Sequence, residues 1–442
     1  MRREPIKASF VVVLALSMLM VIPASAQTED PPATPQGEQP AEAKQEAPEE
    51  PGKGKLSEFG ETLSQFWSVS SAVQATQSFD DNVFLANTFR KSDTVTKLSG
   101  RVTVAYRGQR TRFEASYLPE FNLYQRYDPM NYSSHNYMQT LRHDFSRRLT
   151  LEWNVGASQA PSRGNLPFKF INFFGMRFSM YAPEALTEGL QLFHGANSIG
   201  VTYRATPRWR LNAEVEGAVT HFSPRGNPAV SPVTKELIYS TALNLGAEFT
   251  MNPNQSFGFS VGETYFGAVS PSSHQHLQSV RVSYDHKLRR NYRVHLSVGP
   301  GFSQQPGGRR NVTTFYEVAL HRQLGMKGFS VAFHRNSQVG LLQDSVTGMG
   351  GTVRANWNIG RRWATNWGGG YQRSEGSTGT HQLESMSVHG RIAYRLHPKF
   401  SPFVNYGYSH QKSLVPSPNT RNVNRNEIAL GVVYNFGVIA GR

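Results

Sequence analysis

Residues 312–321 read VTTFYEVALH. Val312, Thr314, Tyr316, Val318 and Leu320 fall on one side of an extended chain, and Thr313, Phe315, Glu317, Ala319 and His321 on the other. That period of two fits a strand and not a helix, whose faces repeat every 3.6 residues. The same holds near the end of the chain, where Ile428, Leu430, Val432, Tyr434 and Phe436 alternate with Glu427, Ala429, Gly431, Val433 and Asn435.

From Trp67 onward the pattern recurs between turn-forming residues. Short connections are expected at 107–110, 146–148, 206–208, 252–254, 289–291, 325–328, 360–362 and 397–399, several carrying paired arginines (Arg147-Arg148, Arg289-Arg290, Arg361-Arg362). In the second half they recur every 35–37 residues, so one unit of strand, long loop, strand and short turn is used repeatedly. The count is about 18 strands (16–18), first from 67 to 77 and last from 424 to 437.

Many hairpins suit either a water-soluble propeller or sandwich, or a membrane barrel. A soluble core would set Leu, Ile and Val against a second layer, whereas here the apolar face is aromatic and contains glycine. Strands of transmembrane length, short turns at one end, long loops at the other and aromatic residues near the short turns are the marks of a transmembrane barrel. Tyr106, Trp153, Tyr203, Trp209, Phe257, Tyr292, Phe329, Trp357, Trp363, Tyr394 and Tyr434 form the expected girdle. The fold class is therefore all-β: a transmembrane antiparallel up-and-down barrel with periplasmic turns and extracellular loops.

Three segments precede or make up this architecture. Residues 1–26 have a secretory signal's form, with basic Arg2, Arg3 and Lys7, an apolar stretch and Ala24-Ser25-Ala26. Residues 27–55 are rich in Pro, Glu and Gln and read as a disordered periplasmic linker. Residues 56–442 are the barrel. The absence of cysteine excludes disulfides, thiolate metal sites, cysteine nucleophiles and a lipid-modified amino terminus. Of the net charge of +15, the signal holds +2 and the linker −4, which leaves +17 on the barrel. For an exported chain, nucleic acid is not the partner that explains it.

If apolar positions face lipid, their neighbours face the lumen. This places Arg101, Arg204, Arg210, Arg281, Arg293, Arg354 and Arg391 inside as candidates for an anion path, with Glu152, Glu214, Glu216, Asp285 and Glu317 among them. A barrel of 18 strands spaced about 4.8 Å and tilted about 40° has a radius of roughly 18 Å, too wide for side chains alone to fill. The loop 159–194 is rich in phenylalanine. It is expected to fold inward as a constriction lined by Arg163, Lys169 and Arg177, with a short helix in 183–192; packing over the rim is the alternative.

Signals for chemistry are weak. His295 and Ser297 are spaced as in outer-membrane phospholipases, but Val298 stands where those enzymes have asparagine, and the pair points into the lumen. His274 and His276 lack a third ligand at metal-binding spacing. Neither an enzyme nor a cofactor is expected.

Phe79-Asp80-Asp81-Asn82-Val83-Phe84, then Ser92-Asp93-Thr94, Asn131-Tyr132 and Ser146-Arg147-Arg148-Leu149, resemble the β-barrel porins associated with exopolysaccharide and capsule export. The similarity covers about 70–155. It implies an outer-membrane channel for an anionic polysaccharide working with a periplasmic export protein; the alternatives to that reading are a diffusion porin for small anionic solutes and a structural or adhesive, plugged barrel. Outer-membrane lipid and lipopolysaccharide are the expected surroundings. The chain departs from many barrels in following Tyr434 and Phe436 with six further residues, and the acidic linker lies outside the motif.

Overall fold

The computed structural model describes residues 66–84, 90–161, 180–181, 190–224, 236–268, 273–289, 291–304, 310–325, 327–340, 345–376, 382–414 and 422–440. They form nineteen strands: β1 (Trp67–Asp80), β2 (Asp93–Arg107), β3 (Thr111–Tyr124), β4 (Tyr132–Asp144), β5 (Leu149–Pro161), β6 (Met180–Tyr181), β7 (Leu190–Arg204), β8 (Trp209–Pro224), β9 (Glu236–Asn252), β10 (Gln255–Ala268), β11 (Ser273–Arg289), β12 (Tyr292–Gln304), β13 (Arg310–Leu324), β14 (Lys327–Gly340), β15 (Ser345–Ile359), β16 (Trp363–Gly376), β17 (Gln382–Tyr394), β18 (Phe400–Ser413) and β19 (Val423–Ala440). All except the two-residue β6 pair antiparallel with their neighbours, and β1 pairs with β19 as well as β2, so eighteen strands close into a barrel.

Closure meets a requirement of lipid. No water reaches the hydrocarbon core, so every backbone group there needs a partner within the protein, and an open sheet edge would have none.

The alternation at 312–321 is realised in β13. Val312 is 66% exposed and Val318 shares its face, while Phe315 is 2% exposed and buried on the other side with Ala319. The outward side of the wall is apolar all round, including Leu98, Val102, Leu211, Val215, Leu245, Phe259, Val282, Val298, Phe333, Val353, Trp367 and Leu430, all exposed. A closed barrel with an outward apolar band belongs in the outer membrane of a Gram-negative cell. Near the short turns, outward aromatic rings meet across strands: Trp67 with Tyr106 at 5.0 Å, Trp209 with Phe249 at 4.9 Å, Phe257 with Tyr284 at 4.9 Å and Trp363 with Tyr394 at 4.8 Å. Trp153 is a correction to the girdle. It stands well above the turn end of β5, where its indole N–H donates to Asn197 at 2.7 Å.

The closing seam has its own chemistry. At its extracellular end the Asp80 carboxylate accepts from the Asn82 N–H at 3.0 Å and from Arg425 Nη2 at 2.7 Å. Asp81 accepts from both the backbone N–H and the side-chain amide of Asn426, each at 2.7 Å, and the Asn82 amide donates to the Asn424 carbonyl at 2.8 Å. Glu427 pairs with Lys97 on β2 and lies 3.5 Å from Arg425. Val83 packs with Val95, Tyr124 and Met130, and Phe84 lies against that cluster. The motif at 79–84 therefore ties the first strands of the barrel to the last.

At the other end of the seam β19 runs on to Ala440 against Ser68, beyond the end at 437 expected from alternation. A register shift at Ser71/Ala72 absorbs an extra residue, and Gly437 there has φ +96°, a conformation favouring glycine. The helix expected in 183–192 is also partly overturned: from Leu190 the chain is in β7, and 182–189 lie outside the described residues.

Two measurements follow. Val353→Arg puts a charge on the lipid side and should destabilise the folded barrel by about 2–4 kcal/mol, whereas Thr352→Arg on the lumen side should cost little, as read by urea unfolding in lipid vesicles. Asp80→Asn removes the nearer of the two carboxylates beside Arg425 and leaves it Glu427; a loss of about 1–3 kcal/mol is expected, lowering the temperature at which the folded band disappears on unboiled gels.

Candidate functional site in the barrel lumen

The parity that turns Val353 to lipid turns Arg354 inward, and all seven arginines expected in the lumen occupy lumen-facing register positions. Their surroundings differ. Arg210, at the turn end of β8, pairs with Glu248 at 3.1 Å, and Arg204 lies directly opposite it in register. Arg293 Nη2 binds Asp285 at 2.8 Å, and His295 Nδ1 meets the other oxygen of the same carboxylate at 3.2 Å. Arg281 lies over the buried Phe315 ring at 5.0 Å, and Arg391 over Phe403 at 3.8 Å. These stacks hold a guanidinium against the wall without neutralising it. Arg101, Arg204 and Arg354 have no ion-pair partner among the described residues. Arg163, Lys169 and Arg177 lie outside the described residues.

Closure adds a relation that parity cannot give. The strands β3–β9 bring Glu114, Glu120, Glu152, Glu214, Glu216 and Glu248 to the lumen side, against Arg112, Arg142, Arg204 and Arg210. Across the barrel β11–β17 bring Arg281, Lys287, Arg293, Arg354 and Arg391, against Asp285 and Glu317. The two arcs face each other with opposite excess charge. Low-dielectric walls focus such a field across the water between them.

The barrel's +17 is thus not spread evenly round the lumen. Much of it sits at the periplasmic turns, where Arg107, Arg110, Arg147, Arg148, Arg208, Arg361, Arg362, Arg395 and Lys399 are exposed. The paired arginines of those turns shape the rim and not the path.

The long connection after β5 also reaches somewhere specific. Met180 and Tyr181 form β6, which pairs in parallel with Val339 and Gly340 at the extracellular end of β14. β14 lies eight strands from β5 round an eighteen-strand wall, close to diametrically opposite.

His295 is engaged by Asp285, while Ser297 stands in register with Ser283 and Glu317, and no hydrogen bond joins His295 to Ser297 among the described residues. His276 meets Glu263 at 2.6 Å on the outward face, and no group of three or more metal-ligating side chains occurs among the described residues. Sequence reasoning missed Lys97, Asp80, Arg425 and Glu427. Their signal was the Asp-Asp-Asn run, which by itself reads as turn chemistry.

No protein-family profile matches the chain, and no curated protein sequence does. Among solved structures, the outer membrane protein opdK of Pseudomonas aeruginosa is 11% identical, with 84% of this chain and 98% of that one covered and a TM-score of 0.43. OpdQ of the same organism is 12% identical, with coverage of 84% and 99% and a TM-score of 0.43. The siderophore receptor PiuA of Acinetobacter baumannii is 9% identical, with coverage of 84% and 82% and a TM-score of 0.45. These comparisons identify no polysaccharide-export family.

Ion pairing in the lumen sets how much cationic charge is free. Asp285→Asn and Glu248→Gln should each shift the zero-current potential in a salt gradient toward anions. Glu263→Gln, on the outward face, should leave it unchanged.

Proposed function

We propose that the barrel is an aqueous outer-membrane channel that admits small anionic solutes by diffusion, without chemistry. The observation carrying this reading is the cationic arc of Arg281, Arg354 and Arg391, facing a carboxylate arc across a lumen too wide to be filled by its own wall. An anion entering is drawn to one side and held by several separated cations, none binding tightly enough to prevent release. The opposite carboxylates keep the preference moderate and suit solutes carrying both signs of charge.

The pairing of Met180 and Tyr181 with Val339 and Gly340 supports a constriction between β5 and β7, shorter than the 159–194 expected because 159–161 and 190–194 belong to those two strands. The lining of that constriction by Arg163, Lys169 and Arg177 is part of this proposal, and all three lie outside the described residues. The conduit for an anionic exopolysaccharide, with a periplasmic export protein as partner, rests on the resemblance carried by 79–84, 92–94, 131–132 and 146–149. Asp80, Asp81 and Asn82 have a role in barrel closure that any substrate would permit, so that segment does not argue for a polymer over a small anion.

The test is conductance in planar bilayers. The purified protein should form open, anion-preferring pores, and replacing Arg281, Arg354 and Arg391 together with Glu should reverse the preference. Deleting 163–187 should raise single-channel conductance. Closed or cation-selective wild-type pores would refute the reading.

A further inference from the structure

The outward face carries charge where lipid should permit little. Arg335 on β14 is in register with Met349 on β15, Met349 with Arg373 on β16, Arg373 with Glu384 on β17, and Glu384 with Lys412 on β18. All five share parity with exposed lipid-side residues of their strands: Phe333, Val353, Trp367, Met386 and Tyr406. The row lies in the extracellular half. Arg373 is ten residues above the girdle residue Trp363, roughly 25 Å along the membrane normal for a strand tilted about 40°, which is the height of the apolar band. Arg335 is six residues above Phe329, roughly 15 Å, and its side chain is long enough to reach upward.

Two features separate this row from ordinary rim polarity. Arg335, Arg373 and Lys412 are exposed and have no ion-pair partner among the described residues. The row is also confined to one arc. On β1–β5 and β7–β12 the extracellular half of the outward face carries no Lys or Arg among the described residues; its positions there include Phe79, Leu123, Val219, Leu237, Tyr265 and Phe302. A general need for interfacial cations would spread them round the barrel.

Unpaired cations at the edge of hydrocarbon are costly unless an anion meets them there. Arg335 and Arg373 are two strands apart, as are Arg373 and Lys412, giving about 10 Å between successive cations. That separation is too large for one phosphate to bridge and suits two phosphates on one headgroup. Glu384, in register with both Arg373 and Lys412, is an acceptor for sugar hydroxyls, and Met349 offers apolar surface to the chains below. We propose that the β14–β18 arc is a binding site for a glycolipid of the outer leaflet whose sugar headgroup bears two phosphates.

The test uses the full-length protein in detergent, titrated with diphosphorylated, monophosphorylated and dephosphorylated lipid A and with phosphatidylglycerol, bound lipid being counted by native mass spectrometry. Wild type should bind the diphosphorylated lipid most tightly, and each phosphate removed should weaken binding. The triple variant Arg335→Ala, Arg373→Ala, Lys412→Ala should lose about tenfold or more in affinity, the scale of a lost charge-assisted contact, while its pore conductance matches wild type. Equal binding by the triple variant, equal binding of dephosphorylated lipid by wild type, or equally tight phosphatidylglycerol would each overturn the proposal. The lipid series on the wild-type protein decides the matter even if the triple variant does not fold.

Discussion

A strand in a bilayer cannot leave its backbone unpaired, and everything else in this structure follows from how the chain meets that constraint. Eighteen strands bond side by side until β19 returns to β1, and the seam is fastened at one end by the Asp80, Asp81 and Asn82 contacts and adjusted at the other by the shift opposite Gly437. Seventeen of the lateral pairings join neighbouring barrel strands; only the seam joins chain regions more than three hundred residues apart. Loop-closure entropy opposes that pairing most, and the buried Asp80 and Asn82 make polar contacts across it.

Closure also converts a one-dimensional alternation into an enclosed lumen. Alternate residues face lipid or water, and the curvature of the wall sets distant strands opposite each other. Glu214 and Arg354 come from separate hairpins, yet closure makes them members of facing arcs of a single lumen. The charge on the lumen side is locally anchored: Arg210 by Glu248, Arg293 by Asp285, Arg391 by the Phe403 ring. Anchoring keeps these cations against the wall.

The alternation at 312–321, the eight short turns and the strand number were legible in the sequence because strand parity and turn chemistry are local. What depends on shear or closure was not: the separation of lumen charge into two arcs, the pairing of Met180–Tyr181 with β14, and the outward row from Arg335 to Lys412. Strand length misled at both ends. Hydrogen-bonded pairing continues beyond the apolar pattern, so β7 begins at Leu190 and β19 runs to Ala440. Of the four segments that carried the similarity to export porins, 79–84 fastens the seam, while Ser146–Leu149 forms the β4–β5 turn.

The central claim is that one side of each strand lines an open, water-filled lumen while the other meets lipid. Because the chain has no cysteine, single cysteines introduced along β15 can be probed without background. In protein reconstituted into vesicles, a charged, membrane-impermeant thiol reagent should label cysteines at 350, 352, 354 and 356 and spare those at 351, 353, 355 and 357. Labelling of the second set, or of neither, would contradict the account.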